Sequence, residues 1–244
     1  MINDILAILW KEWKELFQQR GMRGAVFNWV VMVALLGVFM PLQFGRDWVD
    51  RPLVMLLWSW LPILAAIGVV ADSFAGERER HTLETLLASR LSDRAILFGK
   101  IITVVAFGWS IEIAGTLLAL VTVNIAHGNG ELLLYPWGLY AAVLGLSLAA
   151  ILLVASLGAL VSLRSATVRS AYQKMSIAFI ALAILPSLII PNLPAGIQSG
   201  LSNLVAVRPD ASLFLILTAI LIGLDAILIG ITLNTFQRAR LILD

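Results

Sequence analysis

Six apolar runs, each about the length needed to cross a bilayer, dominate this sequence of 244 residues. A transmembrane helix needs about 20 apolar residues, because each residue adds about 1.5 Å along the helix axis. Charged residues make up 13% of the chain, against about 25% in a typical soluble domain. The pattern predicts an all-α, polytopic membrane protein with spans at residues 25–42, 53–71, 101–126, 137–163, 175–190 and 211–235.

Lysine and arginine are distributed unequally between the two ends of these spans. Fourteen of the 17 lie on the face that carries both termini, and three lie on the opposite face. The positive-inside rule places the richer face in the cytoplasm. We therefore expect a multi-pass protein of the cell membrane with both termini cytoplasmic. The net charge of +2 follows from this bias and requires no nucleic-acid partner.

A charged segment separates spans two and three and cannot lie in lipid. Residues 77–100 carry nine acidic or basic side chains, and each arginine, lysine or aspartate at the bilayer centre costs about 2.5–3.5 kcal/mol. The segment must therefore stand in water beside the membrane. Its pattern predicts an amphipathic helix with a face to offer to another protein.

Two further segments predict structure at the membrane surface. In residues 1–20, apolar and polar side chains separate onto opposite faces, which predicts an interfacial amphipathic helix. A helix packed on a partner protein is the alternative. Residues 195–207 are apolar but follow Pro186, Pro191 and Pro194, which break a continuous helix. We expect a re-entrant or interfacial segment there, with a hydrophobic loop as the alternative.

Acidic side chains inside apolar runs are candidates for function, because a carboxylate is costly in a membrane. Glu112 and Asp225 each lie mid-span with no basic residue in the same run. Trp109 and Thr116 share a helix face with Glu112. The candidate translocation path therefore consists of Trp109, Glu112, Thr116 and Asp225. The alternative is that the acids are hydrogen-bonded between helices and hold the spans together.

The sequence carries no pattern typical of catalysis, metal binding or nucleotide binding. It has no cysteine, which excludes disulfides and thiol chemistry. The pair Gly99-Lys100 lacks the upstream glycine and the following hydroxyl of a phosphate-binding loop. His81 and His127 lie on opposite sides of the membrane in the predicted topology. We therefore expect no catalytic residue, metal or cofactor on this chain.

The order of these features resembles the permease subunit of ABC-2-type ABC transporters. The most specific likeness lies in Glu77-Arg78-Glu79, Thr82-Leu83-Glu84-Thr85-Leu86-Leu87-Ala88 and Gly99-Lys100. The stretch from Arg164 to Gln173 is similar to the family less specifically. Two positions depart from the family pattern: His81 stands where glycine is usual, and Arg90 lies near where a proline often follows the leucines.

The resemblance implies that residues 77–90 form a coupling helix, which docks on a separate ATP-hydrolysing ABC subunit. ATP and Mg²⁺ would bind that subunit, and two permease copies or paralogues would line an export route. The expected docking residues are Glu77, Arg78, Glu79, Arg80, Leu83, Glu84, Leu86 and Leu87, with the leucines in a groove of the partner. The alternative is that the leucines pack on the membrane domain of this chain.

Two other classes of function remain compatible with the sequence. A stand-alone proton-coupled transporter or channel would use Glu112 and Asp225, but it gives the charged segment no role. A structural subunit of a membrane enzyme complex would not need the docking pattern. The few polar groups in the spans slightly favour an amphipathic or lipid-like cargo.

Overall fold

The structure, a computed structural model, describes residues 1–18, 22–199 and 211–236. Every regular element within these ranges is a helix, in agreement with the predicted all-α class. The predicted surface helix corresponds to α1 (Ile2–Gln18), and residues 19 and 20 lie outside the described ranges. Of the predicted segment 195–207, residues 195–199 are helical and residues 200–207 lie outside the description.

The chain then continues through a series of helices of very different length. They are α2 (Met22–Ala34), a π-helical turn (Leu35–Phe39), α3 (Met40–Phe44), α4 (Asp47–Asp50), α5 (Pro52–Trp58), α6 (Trp60–Glu79), α7 (Leu83–Ala88), α8 (Asp93–His127), α9 (Trp137–Leu163), α10 (Val168–Ile189), a 3₁₀ turn (Ile190–Asn192) and α11 (Ala211–Thr235).

Five helical stretches in the described residues are long and apolar enough to cross a membrane. They are Val26–Phe44, Val54–Glu79, Asp93–His127, Trp137–Leu163 and Leu213–Thr235. They lie where the sequence predicts spans one to four and span six. The predicted fifth span, residues 175–190, falls in α10 and the following 3₁₀ turn and is not among these five.

The prediction of a single helix over residues 77–90 is wrong, because the structure divides this stretch between the end of α6 and the separate helix α7. Helix α6 continues to Glu79, a turn follows, and α7 begins at Leu83. His81 has a φ of +55°, a left-handed conformation that ends helices and favours glycine. The position where the resemblance expects glycine thus has the backbone conformation that glycine adopts most easily. We call residues 77–90 the coupling segment.

The first candidate span contains a π-helical turn just before a proline. Pro41 has no N–H and cannot donate to the Gly37 carbonyl one turn earlier. Thr122 of α8 donates its hydroxyl proton to that carbonyl at 2.7 Å. An added Cβ at Gly37 would lie 2.8 Å from the Leu118 Cβ. The first span and α8 therefore cross at very close range.

The core of the fold lies among α6, α8 and α9, and α11 packs against α9. Small residues allow this approach, as is usual between membrane helices. An added Cβ at Gly158 of α9 would lie 2.3 Å from the Val70 Cγ1 of α6, and one at Gly108 of α8 would lie 3.1 Å from Ile151. The packing brings the end of α6 beside the beginning of α8, where the charged segment lies.

Candidate functional site

The coupling segment begins inside a buried ion network. Glu77, in the last turn of α6, is 2% exposed. Its Oε1 lies 2.5 Å from the Lys11 Nζ of α1 and 3.4 Å from the Lys100 Nζ of α8. Thr82 donates its hydroxyl proton to the same carboxylate. One side chain therefore joins α1, α8 and the turn before α7.

Lys100 is the second centre of this network and is also 2% exposed. Its Nζ donates to the Glu12 Oε1 of α1 at 2.7 Å and to the Ser73 carbonyl of α6 at 2.6 Å. The ammonium also lies 5.2 Å from the centre of the Phe74 ring. A buried ammonium is tolerated when it is paired and hydrogen-bonded. Lys100 thus ties α8 to both α1 and α6.

The charges of this network compensate one another. We call Lys11, Glu12, Glu77 and Lys100 the charged junction. Burial alone would lower the pKa of Lys11, but the hydrogen bond to Glu77 and the nearby Glu12 raise that pKa above its usual value. Carboxylate oxygens of Glu12, Glu15 and Glu77 lie within 4.8 Å of one another, a spacing that could hold a cation. The ammonium groups of Lys11 and Lys100 pair with these carboxylates and offset two of the three negative charges, so this cluster is suited to joining helices.

The next two charges of the coupling segment contact the connection between α9 and α10. Arg78 donates to the carbonyl of Ser165 and, at 2.9 Å, to the carbonyl of Leu163 at the end of α9. The Glu79 carboxylate accepts the Val168 N–H at 3.0 Å, at the first residue of α10. A carboxylate at a helix N-terminus interacts favourably with the helix dipole. The coupling segment therefore also contacts α9 and α10.

The short helix α7 has an inward and an outward face. Leu83 and Leu86 are each 8% exposed and belong to the hydrophobic core of this chain. In this chain they pack on its own membrane domain, as the alternative expects, and their anchoring in a partner's groove stays a prediction. The Leu87 side chain lies outside the part of the chain that the structure describes. Arg80, before the helix, lies 3.4 Å from Asp72. The exposed residues of α7 are Glu84, Thr85 and Ala88.

Glu112 lies fully buried in the middle of α8. The Ser59 Oγ, at the break between α5 and α6, lies 2.8 Å from Glu112 Oε1. The other carboxylate oxygen has no hydrogen-bond partner among the described residues. Trp109 donates to a main-chain carbonyl of α9 at 3.3 Å, and the Thr116 hydroxyl lies 3.0 Å from that of Tyr140. This face of α8 therefore contacts neighbouring helices of the same chain.

Asp225, the fourth candidate for the translocation path, lies apart from this hydrogen-bonded group. It is 1% exposed on α11, and neither carboxylate oxygen has a hydrogen-bond partner in the part of the chain that is described. Asp225 and Glu112 share no hydrogen bond. The structure thus gives the two buried acids different surroundings.

An aromatic cluster surrounds Thr116, one turn along α8 from Glu112. Trp48 of α4 is fully buried, and its indole N–H donates to the Tyr135 hydroxyl at 3.2 Å. Tyr135 in turn donates to the Thr116 carbonyl at 2.9 Å and stacks on Tyr140, with the ring centres 4.8 Å apart. We call Trp48, Tyr135 and Tyr140 the aromatic cluster. It joins α4 and the start of α9 to α8 without any charged group.

A family model described as ABC-2 family transporter protein matches residues 38–233, which is most of the chain. The chain belongs to the ABC-2 transporter family. Members of this family are membrane subunits of ABC transporters, are not themselves catalytic, and normally work with an ABC ATPase subunit. The five apolar helices agree with a multi-pass membrane permease. No curated protein matches the sequence.

Sequence reasoning identifies Glu77 of the permease as important but misses its partners. It places Lys11 and Glu12 on the polar face of a surface helix, and it treats Lys100 only as part of a motif. A signal for Lys100 does exist, because a lysine among apolar residues at the start of a span needs a carboxylate nearby. The sequence does not say which carboxylate, since Glu12 and Glu77 lie on different helices.

Proposed function

We propose that the permease performs ATP-driven export together with a separate ABC ATPase subunit, which binds ATP and Mg²⁺. The observation that supports this proposal is the set of contacts made by the coupling segment, which reach α1, α8, α9 and α10. A force applied to α7 by a closing ATPase dimer would therefore act on four other helices. Family membership supports the ATPase partner, and the direction of transport follows the resemblance.

The outward face of α7 is the part of the coupling segment best placed to meet the ATPase. Glu84, Thr85 and Ala88 are exposed, and we retain Leu87 as a candidate contact. In this proposal the other predicted docking residues act inside the chain. Their contacts transmit motion from the ATPase to the membrane spans. The residues with this role are Glu77, Arg78, Glu79, Arg80, Leu83 and Leu86.

We further propose that α10 also crosses the membrane, as the predicted fifth of six spans, which places both termini and the coupling segment in the cytoplasm. Fourteen of the 17 basic residues then lie on the cytoplasmic side of the cell membrane. Helix α11 exposes a broad apolar surface that includes Leu215, Ile216 and Ile220. Lipid and a second permease, identical or paralogous, would cover such a surface. Two permeases and two ATPases form the proposed working unit.

We keep Trp109, Glu112, Thr116 and Asp225 as candidates for the translocation path. Asp225 and one oxygen of Glu112 have no hydrogen-bond partner among the described residues, so both acids could bind a polar group of a cargo. The mostly aliphatic spans favour an amphipathic or lipid-like cargo. Thr116 and Trp109 already bond to α9 and would need to exchange those contacts.

Proton-coupled transport without an ATPase is the second candidate function. The Asp225 carboxylate favours it, because this carboxylate has no hydrogen-bond partner among the described residues. The two functions differ in their energy source. In proteoliposomes that contain the permease alone, uptake of protons reported by an internal pH dye and lost in Asp225→Asn would support this alternative. Export that requires the ATPase subunit and ATP would support the first proposal.

The first test of the proposal is co-purification from native membranes with an ATPase assay on the eluate. Ala88→Arg places a bulky charge on the outward face of α7 without disturbing a buried contact, because Ala88 is exposed. We expect an ATPase subunit and vanadate-sensitive hydrolysis to accompany the wild-type chain and to fall at least about tenfold with the variant, the effect of about 1.4 kcal/mol of docking energy.

The matched control is Leu132→Arg, which adds the same side chain at another exposed position, between α8 and α9. It should retain the ATPase at the wild-type level. Recovery of the wild-type chain without any ATPase would contradict the proposed function. Equal loss in Ala88→Arg and Leu132→Arg would contradict the assignment of α7 as the docking helix.

A further inference from the structure

Helix α1 lies outside the family match, yet it contributes two of the four charges in the charged junction. Its adjacent residues Lys11 and Glu12 reach two different helices. Lys11 pairs with Glu77 of α6, and Glu12 pairs with Lys100 of α8. Each of these two ion pairs has one almost fully buried member, Glu77 or Lys100, and because the partners lie on different helices the pairs fix both the position and the rotation of α1.

Gly99 provides the steric part of the same contact. An added Cβ at Gly99 would lie 2.5 Å from the Ile8 Cγ2 and 2.7 Å from the Ile8 Cβ, and Ile8 is 2% exposed. These separations are shorter than real Cβ contacts, so a larger residue at position 99 must displace α1. Two consecutive residues of α8 therefore hold α1. Gly99 allows the backbone of α1 to approach closely, and Lys100 pairs with Glu12 of α1.

The contact extends directly to the coupling segment through Glu77. The Glu77 carbonyl accepts the Thr82 N–H at 2.9 Å, and its carboxylate accepts the Thr82 hydroxyl. A groove of about 340 Å³ lies between α1 and α7, with Lys11 and Glu15 on one wall and Thr85 and Leu86 on the other. Helices α1 and α7 are therefore neighbours joined through a single carboxylate.

The opposite face of α1 is apolar and exposed. Ile2, Leu6 and Trp10 are spaced by four residues and each is more than half exposed, so they form one stripe along the helix. Only three residues separate α1 from α2, so the stripe lies near the membrane surface. Helix α1 thus has one face toward apolar surroundings and one face toward the charged junction.

We propose that Gly99 and Lys100 form a docking site for α1, and that Glu77 locks the docked helix to the coupling segment so that α1 and α7 move as one body. These are positioning residues, which act through α1 and the coupling segment. The consequence for transport rests on the proposed function: motion imposed by an ATPase on α7 would also move α1 at the membrane surface.

The experiment measures distances between spin labels on the full-length permease in lipid nanodiscs. The chain has no cysteine, so Leu6→Cys and Arg90→Cys can be labelled without first replacing any native cysteine. Both positions are exposed. We expect a single narrow distance distribution between α1 and the end of the coupling segment, just after α7, in the chain without any ATPase.

Two variants test the docking site by independent routes. Lys100→Met removes the ammonium, and Gly99→Leu displaces Ile8 while it leaves every charge in place. Each should abolish the single narrow distribution. The control Lys14→Met, at an exposed position of α1, should retain it. Lys100→Met alone could unfold the chain, because it leaves Glu12 charged and without this partner. The double variant Glu12→Gln/Lys100→Met is therefore also measured. It leaves neither residue charged and should still broaden the distance distribution.

The outcomes separate this proposal from the proposed function. A distribution as narrow in Gly99→Leu and Glu12→Gln/Lys100→Met as in the wild type would overturn the docking site. In a vanadate-trapped complex with the ATPase, the distance from position 6 to position 90 should stay constant, while the distance from position 90 to position 132 should change. A change in the distance between the label on α1 and the label on the coupling segment would contradict the proposal that α1 and α7 move as one body. Failure to recruit any ATPase would contradict the proposed function and leave the docking result intact.

Discussion

The charged junction and the aromatic cluster both hold other helices against α8, but they use different chemistry. In the charged junction, Lys100 and Glu77 are almost fully buried and each has two charged partners. In the aromatic cluster, Trp48 and Tyr135 are joined by neutral hydrogen bonds. The same helix is therefore held by ions near its beginning and by hydroxyl and indole groups further along.

This difference sets how easily each region can rearrange. Removing one partner from a buried ion pair leaves an uncompensated charge, which costs about 3–5 kcal/mol. A neutral hydrogen bond contributes about 0.5–1.5 kcal/mol to stability. Motion that enters through α7 should therefore carry the charged junction as one unit. Rearrangement should occur where the contacts are neutral, around Thr116 and Glu112.

The largest expected effect comes from one substitution made at two buried acids. Glu77→Gln leaves Lys11 and Lys100 with less compensation and should lower the free energy of unfolding by about 3–5 kcal/mol. Glu112→Gln keeps an oxygen that can accept from Ser59, its one hydrogen-bond partner among the described residues, and should change stability by less than about 1 kcal/mol. Reversible unfolding in mixed detergent micelles measures both values.

Glu84→Gln is the control for Glu77→Gln, because it removes a charge from an exposed position of the same segment. It should leave the unfolding free energy close to that of the wild type. Equal losses for Glu77→Gln and Glu112→Gln would remove the distinction between ionic and neutral regions.

A smaller effect is expected from Tyr135→Phe in the aromatic cluster. The change removes the acceptor of the Trp48 indole N–H, which is then buried without a partner, and should cost about 1–3 kcal/mol. Tyr172→Phe is the matched control, because Tyr172 is 45% exposed. Unfolding in the same detergent system measures both. A loss as large as that of Glu77→Gln would show that neutral contacts hold the helices as firmly as ions.

The sequence predicts the helical class and the positions of the apolar spans because both depend on local composition. The run at 137–163, for example, coincides with α9. The division of the coupling segment at His81 is harder to predict, since a histidine rarely adopts a positive φ. The family pattern does mark the position, because glycine is expected there.

The partners of buried polar groups could not be predicted, because they are distant in the chain. Glu112 meets Ser59, and Lys100 meets Glu12, across 53 and 88 positions. Hydrophobic periodicity places each of these residues on a helix face but does not specify which helix lies opposite. The inward orientation of Leu83 and Leu86 is undetermined for the same reason, since an apolar face fits a partner protein and the chain's own core equally well.

The smallest effect is expected at an exposed ion pair beside the aromatic cluster. Arg46 and Glu131 are separated by 2.6 Å, but the side chains are 41% and 75% exposed, so water and salt screen their attraction. Arg46→Gln should lower the unfolding free energy by about 0.2–1 kcal/mol at low salt, and less at high salt. The loss from Glu77→Gln should persist in salt, because buried pairs are screened far less. Unfolding of both variants at two ionic strengths separates the regions, and a salt-insensitive loss in Arg46→Gln would place this pair with the charged junction.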